Sequence, residues 1–440
     1  MAKLFGSLRH ILILFPVFIS ISVKSADRYV TTTANAGPGS LRDQIGISAA
    51  GDRVIMGISG TVALTSPITV TTSVEVIGAF PVHNTINFSG VGINNCAFNV
   101  TGGQLSIRGF LFHNPSLNLN VGAIQVANTA SLLVNDCVFE QGRANTGGAI
   151  LTNGPTIINS SCFTQNSSVS DGGAIYVNGA AATCTLTNCT FSANNSNANG
   201  GAIRAINGPA LVIRHCTFKG NTATNLGKDL SVAIAGTTVT LHNNIFDQGV
   251  LGSLSNSGAA NFVSQGGNIF TFANPGFVTT STNDAFSVLP ALLNLGLLVT
   301  DGYGMRFHRI NSNSSPATDN GTAGTLPVKD CRRAPRIMQG NATMNPDAGA
   351  VEFSQYTVVN SNATGAGSFA NAVSQVNANA TPAPYYIDFI IPAPTPILLG
   401  ATLTINNPVI IDGYIQSGSQ IGGPGNVLNS LTSLTPIIIL

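Results

Sequence analysis

Apolar positions in this chain alternate with polar ones in runs of only three to five residues. Val62 with Leu64, Ile68 with Val70 and Val74 with Val76 follow one another closely, separated by Gly, Ser or Thr. Alternation over so few residues predicts short strands with one buried face. Asn-Gly hairpin signals are largely missing between them, so the strands suit a coil with corners rather than two-residue hairpins. From Leu132 to Gly249 the pattern becomes periodic. Gly147-Gly148-Ala149-Ile150 returns as Gly172-Gly173-Ala174-Ile175 and as Gly200-Gly201-Ala202-Ile203. Between these tetrads an apolar strand runs into Cys137-Val138-Phe139, Cys162-Phe163, Cys189-Thr190-Phe191, Cys216-Thr217-Phe218 and then Asn244-Ile245-Phe246. The steps from Phe139 to Phe163, Phe191, Phe218 and Phe246 are nearly equal, each in the middle to upper twenties. A period in the twenties marks a solenoid whose units pack only on their neighbours. Three short strands in each period predict an all-β fold, a right-handed single-stranded parallel β-helix over 61–275. About eight coils at roughly 4.8 Å each make a rod of about 40 Å.

Each repeated residue has an expected place in the coil. Leu132 with Val134, Thr185 with Leu186, Leu211 with Ile213 and Val239 with Leu241 point inward from one strand. A polar column precedes the cysteines at Asp136, Ser161, Asn188, His215 and Asn243, where an asparagine ladder would cap a corner. Cys and Phe face inward on the next strand, which ends at a corner marked by Asn166, Asn194 or Asn221. The Gly-Gly pair permits positive φ or close backbone approach at the third corner. Cys137, Cys162, Cys189 and Cys216 recur once per repeat at nearly the same period, which predicts one inward column. Strand spacing alone allows a disulfide there, but parallel in-register side chains point the same way, which favours buried thiols acting as small hydrophobes.

Gly-Gly-Ala-Ile alternating with Phe-Thr-Gln-Asn (163–166), Phe-Ser-Ala-Asn (191–194) and Phe-Lys-Gly-Asn (218–221) resembles the repeat of polymorphic outer-membrane proteins. The resemblance covers roughly residues 121–249. It implies a bacterial surface β-helix, commonly an adhesive passenger. Gly122-Ala123-Ile124 and Gly227-Lys228-Asp229-Leu230 read as degraded terminal copies.

The flanks organise around this stack. Residues 1–25 carry Lys3 and Arg9, an apolar run from Ile11 to Val23, then Ser25 and Ala26. That order is a secretory signal peptide, with an uncleaved anchor as the alternative. In 27–60 an alternating strand at Tyr29 leads to Gly37-Pro38-Gly39 and a short helix capped by Ser40 and Asp43. Leu41 and Ile45 share one face of it, which suits a lid on the first rung as well as a plain surface helix. In 276–353 the period is lost. Asp319-Asn320-Gly321, Asp330-Cys331-Arg332-Arg333-Ala334-Pro335-Arg336 and Asp347 to Phe353 are similar to the closing segment of the choice-of-anchor class of secreted β-helix proteins. Thr318 departs from that pattern, which commonly has an apolar residue there. Arg332, Arg333 and Arg336 among these carboxylates favour a salt-bridged cap over calcium binding. Residues 356–440 then repeat the opening. Tyr356 to Val359 matches the first strand, Gly365-Ala366-Gly367-Ser368 matches Gly37 to Ser40, and Phe369 with Val373 matches Leu41 with Ile45. Leu403 to Ile405 echoes Ile68 to Val70, and Val409 to Gly413 echoes Val74 to Gly78. This predicts the start of a second β-helix module. The apolar Ile437 to Leu440 suggests that an anchoring domain or partner lies beyond residue 440.

Composition narrows the function. Only 8% of the residues are charged and the net charge is +1, which argues against a nucleic-acid partner. Glycoside hydrolysis needs two carboxylates about 5–10 Å apart, and a lyase needs an acidic calcium cluster and a base. Between Val62 and Phe270 the carboxylates are Glu75, Asp136, Glu140, Asp171, Asp229 and Asp247, no two in one column on neighbouring coils. Glu140, Thr164, Ser192, Lys219 and Asp247 do form a column, with Lys219 and Asp247 as a surface ion pair. Asp171, Tyr176 and Arg204 around one corner are the weak candidate for a site. His215 and His242 read as structural. No catalytic, cofactor-binding or metal-ligating set is assigned, and no cofactor is implied. The expectation is an exported adhesive or structural rod whose partner is a host or matrix surface or a glycan. A polysaccharide lyase or glycoside hydrolase is the alternative.

Overall fold

A computed structural model describes residues 25–413 except 80–82, 93–95, 115–118, 181, 234–235, 250–251, 323–326, 337–344, 380–384, 392–396 and 398. The signal peptide expected over 1–25 lies, but for Ser25, outside the described residues, as does the apolar terminus at 437–440. One coil can be followed from Ala130. The strand Ala130–Asn135 runs to Asp136, whose φ of 50° turns the chain into Val138–Glu140. Gln141 at φ 55° turns it again into Arg143–Thr146, and Gly147 at φ 56° leads to Ile150–Thr152. The next coil stacks in parallel, pairing Leu132 with Thr156, Phe139 with Phe163, Ala144 with Ser168 and Ile150 with Ile175.

The result is a parallel β-solenoid. Among the described residues its first, second and third sheets hold 11, 9 and 8 strands, and a short corner sheet holds 5. The corner sheet is an addition to the expected three strands per coil. Its strands shrink to pairs such as Ser167–Ser168, Asn195–Ser196 and Thr222–Ala223, a straightened corner between the second and third sheets.

The interior is organised by phenylalanine. Phe112, Phe139, Phe163, Phe191, Phe218, Phe246, Phe270 and Phe286 form one continuous ring stack, with centroids 4.5–5.2 Å apart and planes within 10°. In-register parallel pairing places identical side chains at the strand spacing, so the rings stack one on the next.

That stack corrects the cysteine alignment. The step from Cys137 to Cys162 is one position longer than the step from Phe139 to Phe163. Since the phenylalanines hold register, Cys162 falls one place late, opposite Val138, Thr190 and Thr217. A shift of one residue moves a side chain to the other face. Cys162 therefore lies outside the barrel, while Cys137, Cys189 and Cys216 lie in the main core. Ser161 takes the inner place, and its hydroxyl accepts the Cys137 amide at 3.2 Å. The polar left-handed corner is Asp136, Ser160, Asn188, His215 and Asn243, with φ between 45° and 57°. Short polar side chains tolerate this region better than branched ones. Thr185 also moves: Cys184 and Leu186 point inward and Thr185 outward.

The asparagine ladder is displaced from that column to the next corner. Asn166 donates its side-chain amide to Asn194 Oδ1 at 3.0 Å, Asn194 to Asn221 at 2.9 Å, and Asn221 to Asp229 at 2.9 Å. A second ladder runs through Asn244, Asn268 and Asp284, with 3.0 Å at each step. Each ends on a carboxylate, which accepts without needing to donate onward. Asp229 stands at the Ala position of the Gly-Gly-Ala-Ile tetrad, in the copy Gly227-Lys228-Asp229-Leu230, and there receives the end of the ladder. On earlier rungs of the second ladder's column the thiols stand in for amides: Cys189 donates to Ile158 O at 3.5 Å, as Asn244 does to Ile213 O at 2.8 Å.

The Gly-Gly pair uses both glycine properties. The first residue has positive φ, +67° at Gly172. The second has no room for a side chain, since a Cβ on Gly173 would sit 2.0 Å from Gly201 O.

The helix Leu41–Gly46 packs Leu41 and Ile45 into the main core at the first rungs. The closing segment departs from an end cap. Its hairpin, Leu295–Thr300 with Arg306–Ile310, and the turns after it run back along the outside of the second sheet. They bury Val138, Cys162, Ile245 and Ile269 in a second core with Met305, Phe307, Ala317 and Ala350. His308 Nε2 lies 3.0 Å from Ser192 Oγ, and Ala350 N donates to Thr217 Oγ1 at 2.9 Å.

The opening turn is duplicated in its backbone bonds and its serine cap. Thr31 N donates to Gly39 O at 2.9 Å, and Val359 N to Gly367 O at 2.9 Å. Ser40 Oγ accepts from Asp43 N at 3.2 Å, and Ser368 Oγ from Asn371 N at 3.1 Å. Asp43 itself accepts from Gly39 N rather than Ser40 N. The strands Tyr356–Val358, Tyr385–Phe389 and Val409–Asp412 form a parallel sheet beside the helix Phe369–Asn377. Leu403 to Ile405 packs on this third core without forming a strand.

Candidate functional site

Function must use side chains that the coils leave outside, and their pairing can be taken face by face. The second sheet's outer face is covered. In its column of Glu140, Thr164, Ser192, Lys219 and Asp247, Glu140 pairs with His113 at 3.0 Å and with Arg306 of the hairpin. Lys219 pairs with Asp247 as expected, but the Asp247 side chain is only 6% exposed, so this ion pair is shielded rather than on the surface.

The proposed corner cluster does assemble. Tyr176 and Arg204 are register neighbours on the third sheet, and Arg204 Nε lies 3.9 Å from Asp171 Oδ2. Asp171 Oδ1 accepts from Asn199 N at 3.0 Å and from its side chain at 2.9 Å. Arg204 also donates to Ser231 Oγ. Burial, reinforced by the Asp171 charge, raises the Tyr176 phenol above its usual range, so it stays neutral. The cluster holds one carboxylate, already hydrogen-bonded, and no free base. It can recognise hydroxyls but lacks the second acid that glycoside hydrolysis requires.

The remaining coil carboxylates are committed as well. Glu75 pairs with Arg53 and Arg108 at 3.8 and 3.4 Å, and Asp136 with Arg333 at 3.7 Å. Asp229 is fully buried among Asn221, Gln248 and Ser253, and burial pushes its carboxyl up to about 6. His215 is buried beside Asn243, and burial with the nearby Arg336 charge holds it well below the usual imidazole range. His242 is covered by Thr322, 2.9 Å away.

In the closing segment Arg332 and Arg336 each meet a carboxylate of the segment itself, while Arg306 and Arg333 reach carboxylates of the coils. Arg332 meets Asp330 at 2.8 Å, Arg336 meets Glu352, and Asp347 accepts from Asp319 N at 2.6 Å. Burial pushes Asp347 up to about 7 and Glu352 well above its usual range. Among the described residues no cluster of His, Cys, Asp and Glu has the arrangement of a metal site.

What stays outside is a set of polar rows. At the corner sheet a shallow groove is lined by Gln141, Arg143, Gln165, Ser167, Ala193 and Asn195. Gln141 donates to Gln165 at 3.3 Å and Thr222 to Asn195 at 2.8 Å. A second row joins Asn159 to Asn135, and a third joins Asn178 to Asn153, both at 3.0 Å. The sequence suggests Asn/Thr/Ser-rich outer faces but not these particular rows, because single outward Asn and Gln residues carry no pattern until the coil register aligns them.

The family model for the Chlamydia polymorphic membrane protein repeat matches residues 160–178. The match begins at the left-handed corner Ser160, includes Phe163 and the ladder residue Asn166, and ends on the third-sheet strand Ile175–Asn178. No curated protein matches the chain. The fold is a parallel β-helix, and the coil segment at 160–178 is similar to the polymorphic membrane protein repeat. Among the described residues no helix is long and apolar enough to cross a membrane, which says nothing of a β-barrel.

Proposed function

We propose that this protein is a non-catalytic β-helix rod displayed at the outer membrane or cell surface, where it mediates attachment. The observation that carries the reading is the division of labour within each coil. The repeated Gly and Phe residues and the ladder Asn residues are consumed by the coil itself, the repeated cysteines are buried in the two cores, and the coil carboxylates are engaged by neighbours, while amide and hydroxyl rows remain outside. Such rows suit a polyhydroxylated partner such as a glycan, whose groups can both donate and accept. The match to the membrane-protein repeat supports the location.

The test combines surface labelling of intact cells with binding of the purified chain to glycan-bearing surfaces. The wild-type protein is expected to be labelled and to bind, and Gln141→Ala with Gln165→Ala and Asn195→Ala to bind at least about tenfold more weakly. Absence of surface labelling would overturn the location. Release of unsaturated or reducing ends from uronate or neutral polysaccharides would overturn the non-catalytic reading in favour of a lyase or hydrolase.

A further inference from the structure

The closing segment has two working faces. One covers the second sheet of its own solenoid. On the other, Arg309 Nη1 and Arg332 Nη1 converge on Asp388 Oδ2 at 2.6 and 3.1 Å. Asp388 belongs to Tyr385–Phe389, the middle strand of the repeated opening unit, and is fully buried. Beside it Tyr386 and Ile410 join the second core with Phe307, and the Tyr386 hydroxyl donates to Asp412 at 2.7 Å.

The duplication supplies the comparison. Tyr29 corresponds to Thr357, because Thr31 and Val359 make the same bond to Gly39 and Gly367. Tyr29 pairs with Ile55, and Thr357 with Asp388, so Ile55 occupies the place of Asp388 and Arg53 that of Tyr386. On the next strand Glu75 and Ile77 stand where Ile410 and Asp412 do. The same face of the first unit is solvent-facing, with Tyr29 56% exposed and Arg53 pairing with Asp27 and Glu75 across the surface. Set against Arg309 and Arg332, Arg53 would bring like charge into a buried site, and Ile55 would leave the arginines without a carboxylate. The two opening units share a backbone and differ where a preceding segment docks.

We propose that the hairpin Leu295–Thr300 with Arg306–Ile310, together with Arg332 and its described neighbours, forms a docking adaptor, whose partner is the outer first-sheet face of the next β-helix module in the same chain. Asp388 and Tyr386 are its specificity residues, and the pairing sets the order and direction of successive modules. The proposal rests on reading residues 356–413 as the start of a further module and is independent of the attachment function. The interface is recognised by a buried carboxylate between two arginines, flanked by a tyrosine and an isoleucine.

The test uses the full chain. Limited chymotrypsin cleavage across Phe353 to Tyr356 and small-angle scattering report docking, and hydrogen exchange at Phe163 and Phe191 reports whether the coils stay folded. Asp388→Asn, and separately Tyr386→Arg with Asp388→Ile, which install the first unit's residues, are the variants. Both are expected to raise junction cleavage at least about tenfold and to extend the particle, with coil exchange unchanged. Wild-type cleavage and dimensions in both variants would overturn the adaptor. So would loss of coil protection in step with the junction, since Asp388 would then be a general stability residue.

Discussion

Replacing Asn194 by alanine removes the middle of the buried ladder. Its Oδ1 accepts the Asn166 backbone amide at 3.1 Å and the Asn166 side chain at 3.0 Å. Its amide donates to Phe163 O at 3.0 Å and to Asn221 Oδ1 at 2.9 Å. Four hydrogen bonds at roughly 1 kcal/mol net each give about 4 kcal/mol. The Asn166 N–H keeps no other acceptor among the described residues, and the site is fully buried, so water cannot replace what is lost. Asn178→Ala is the control, because it also breaks asparagine pairs, to Asn153 and Asn207, but at a half-exposed row where water substitutes. Its expected cost is below about 0.5 kcal/mol. Urea unfolding followed by circular dichroism measures both. Hydrogen exchange should localise the Asn194→Ala effect to the adjoining coils, since solenoid units couple mainly to their neighbours. If the two variants differ by less than about 1 kcal/mol, the claim that burial makes the ladder structural is refuted.

Gly173→Ala should cost more than Gly172→Ala. A methyl on Gly173 meets Gly201 O of the next coil at 2.0 Å, whereas one on Gly172 meets Ile175 O of its own turn at 2.4 Å and adds left-handed strain of about 1 kcal/mol; comparative melting temperatures decide it. Asp229, raised by burial to about 6 in the fold, binds its proton more tightly folded than unfolded. Its contribution is therefore full below about pH 4 and is lost as pH rises through about 6, a change of about 3 kcal/mol that Asp229→Asn should abolish in pH-dependent urea titrations. His83 and His308, held near about 4 by burial, act in the opposite sense, with stability lost as pH falls through that value, so the variant rather than the raw profile isolates Asp229. The seven cysteines are all buried and free, and burial pushes Cys137 and Cys184 up to about 12. A thiol reagent at neutral pH should leave the native chain unlabelled and titrate all of them in guanidinium; fast labelling of the native chain would contradict the coil assignment.

Two physical rules carried most of the fold from the residues alone. Period-two alternation identified the strands, and repetition with a period in the twenties stacked them, because a parallel solenoid superimposes like on like. The opening turn was equally legible, since a glycine turn followed by a serine cap is specified by neighbours in sequence. Phase within the coil was not. A cysteine and a phenylalanine both looked like register marks, and only packing decided that the ring stack holds while Cys162 slips to the outside. Likewise, Asn166 and Asn188 are alike in sequence. One faces a buried corner and builds the ladder; the other sits at positive φ and gives its amide to Lys329 O.

The candidate surfaces depended still more on the tertiary structure. Carboxylates and arginines of 276–353 pointed to ion pairing, but not to the sheet they would cover or to Asp388, far along the chain from Arg332. Such contacts join segments with no shared periodicity, so no local pattern announces them. The sequence by itself determined the repeating coil, whose interactions are between equivalent residues one turn apart. The structure decided which faces remain open, because that depends on where an aperiodic segment finds complementary charge and apolar area.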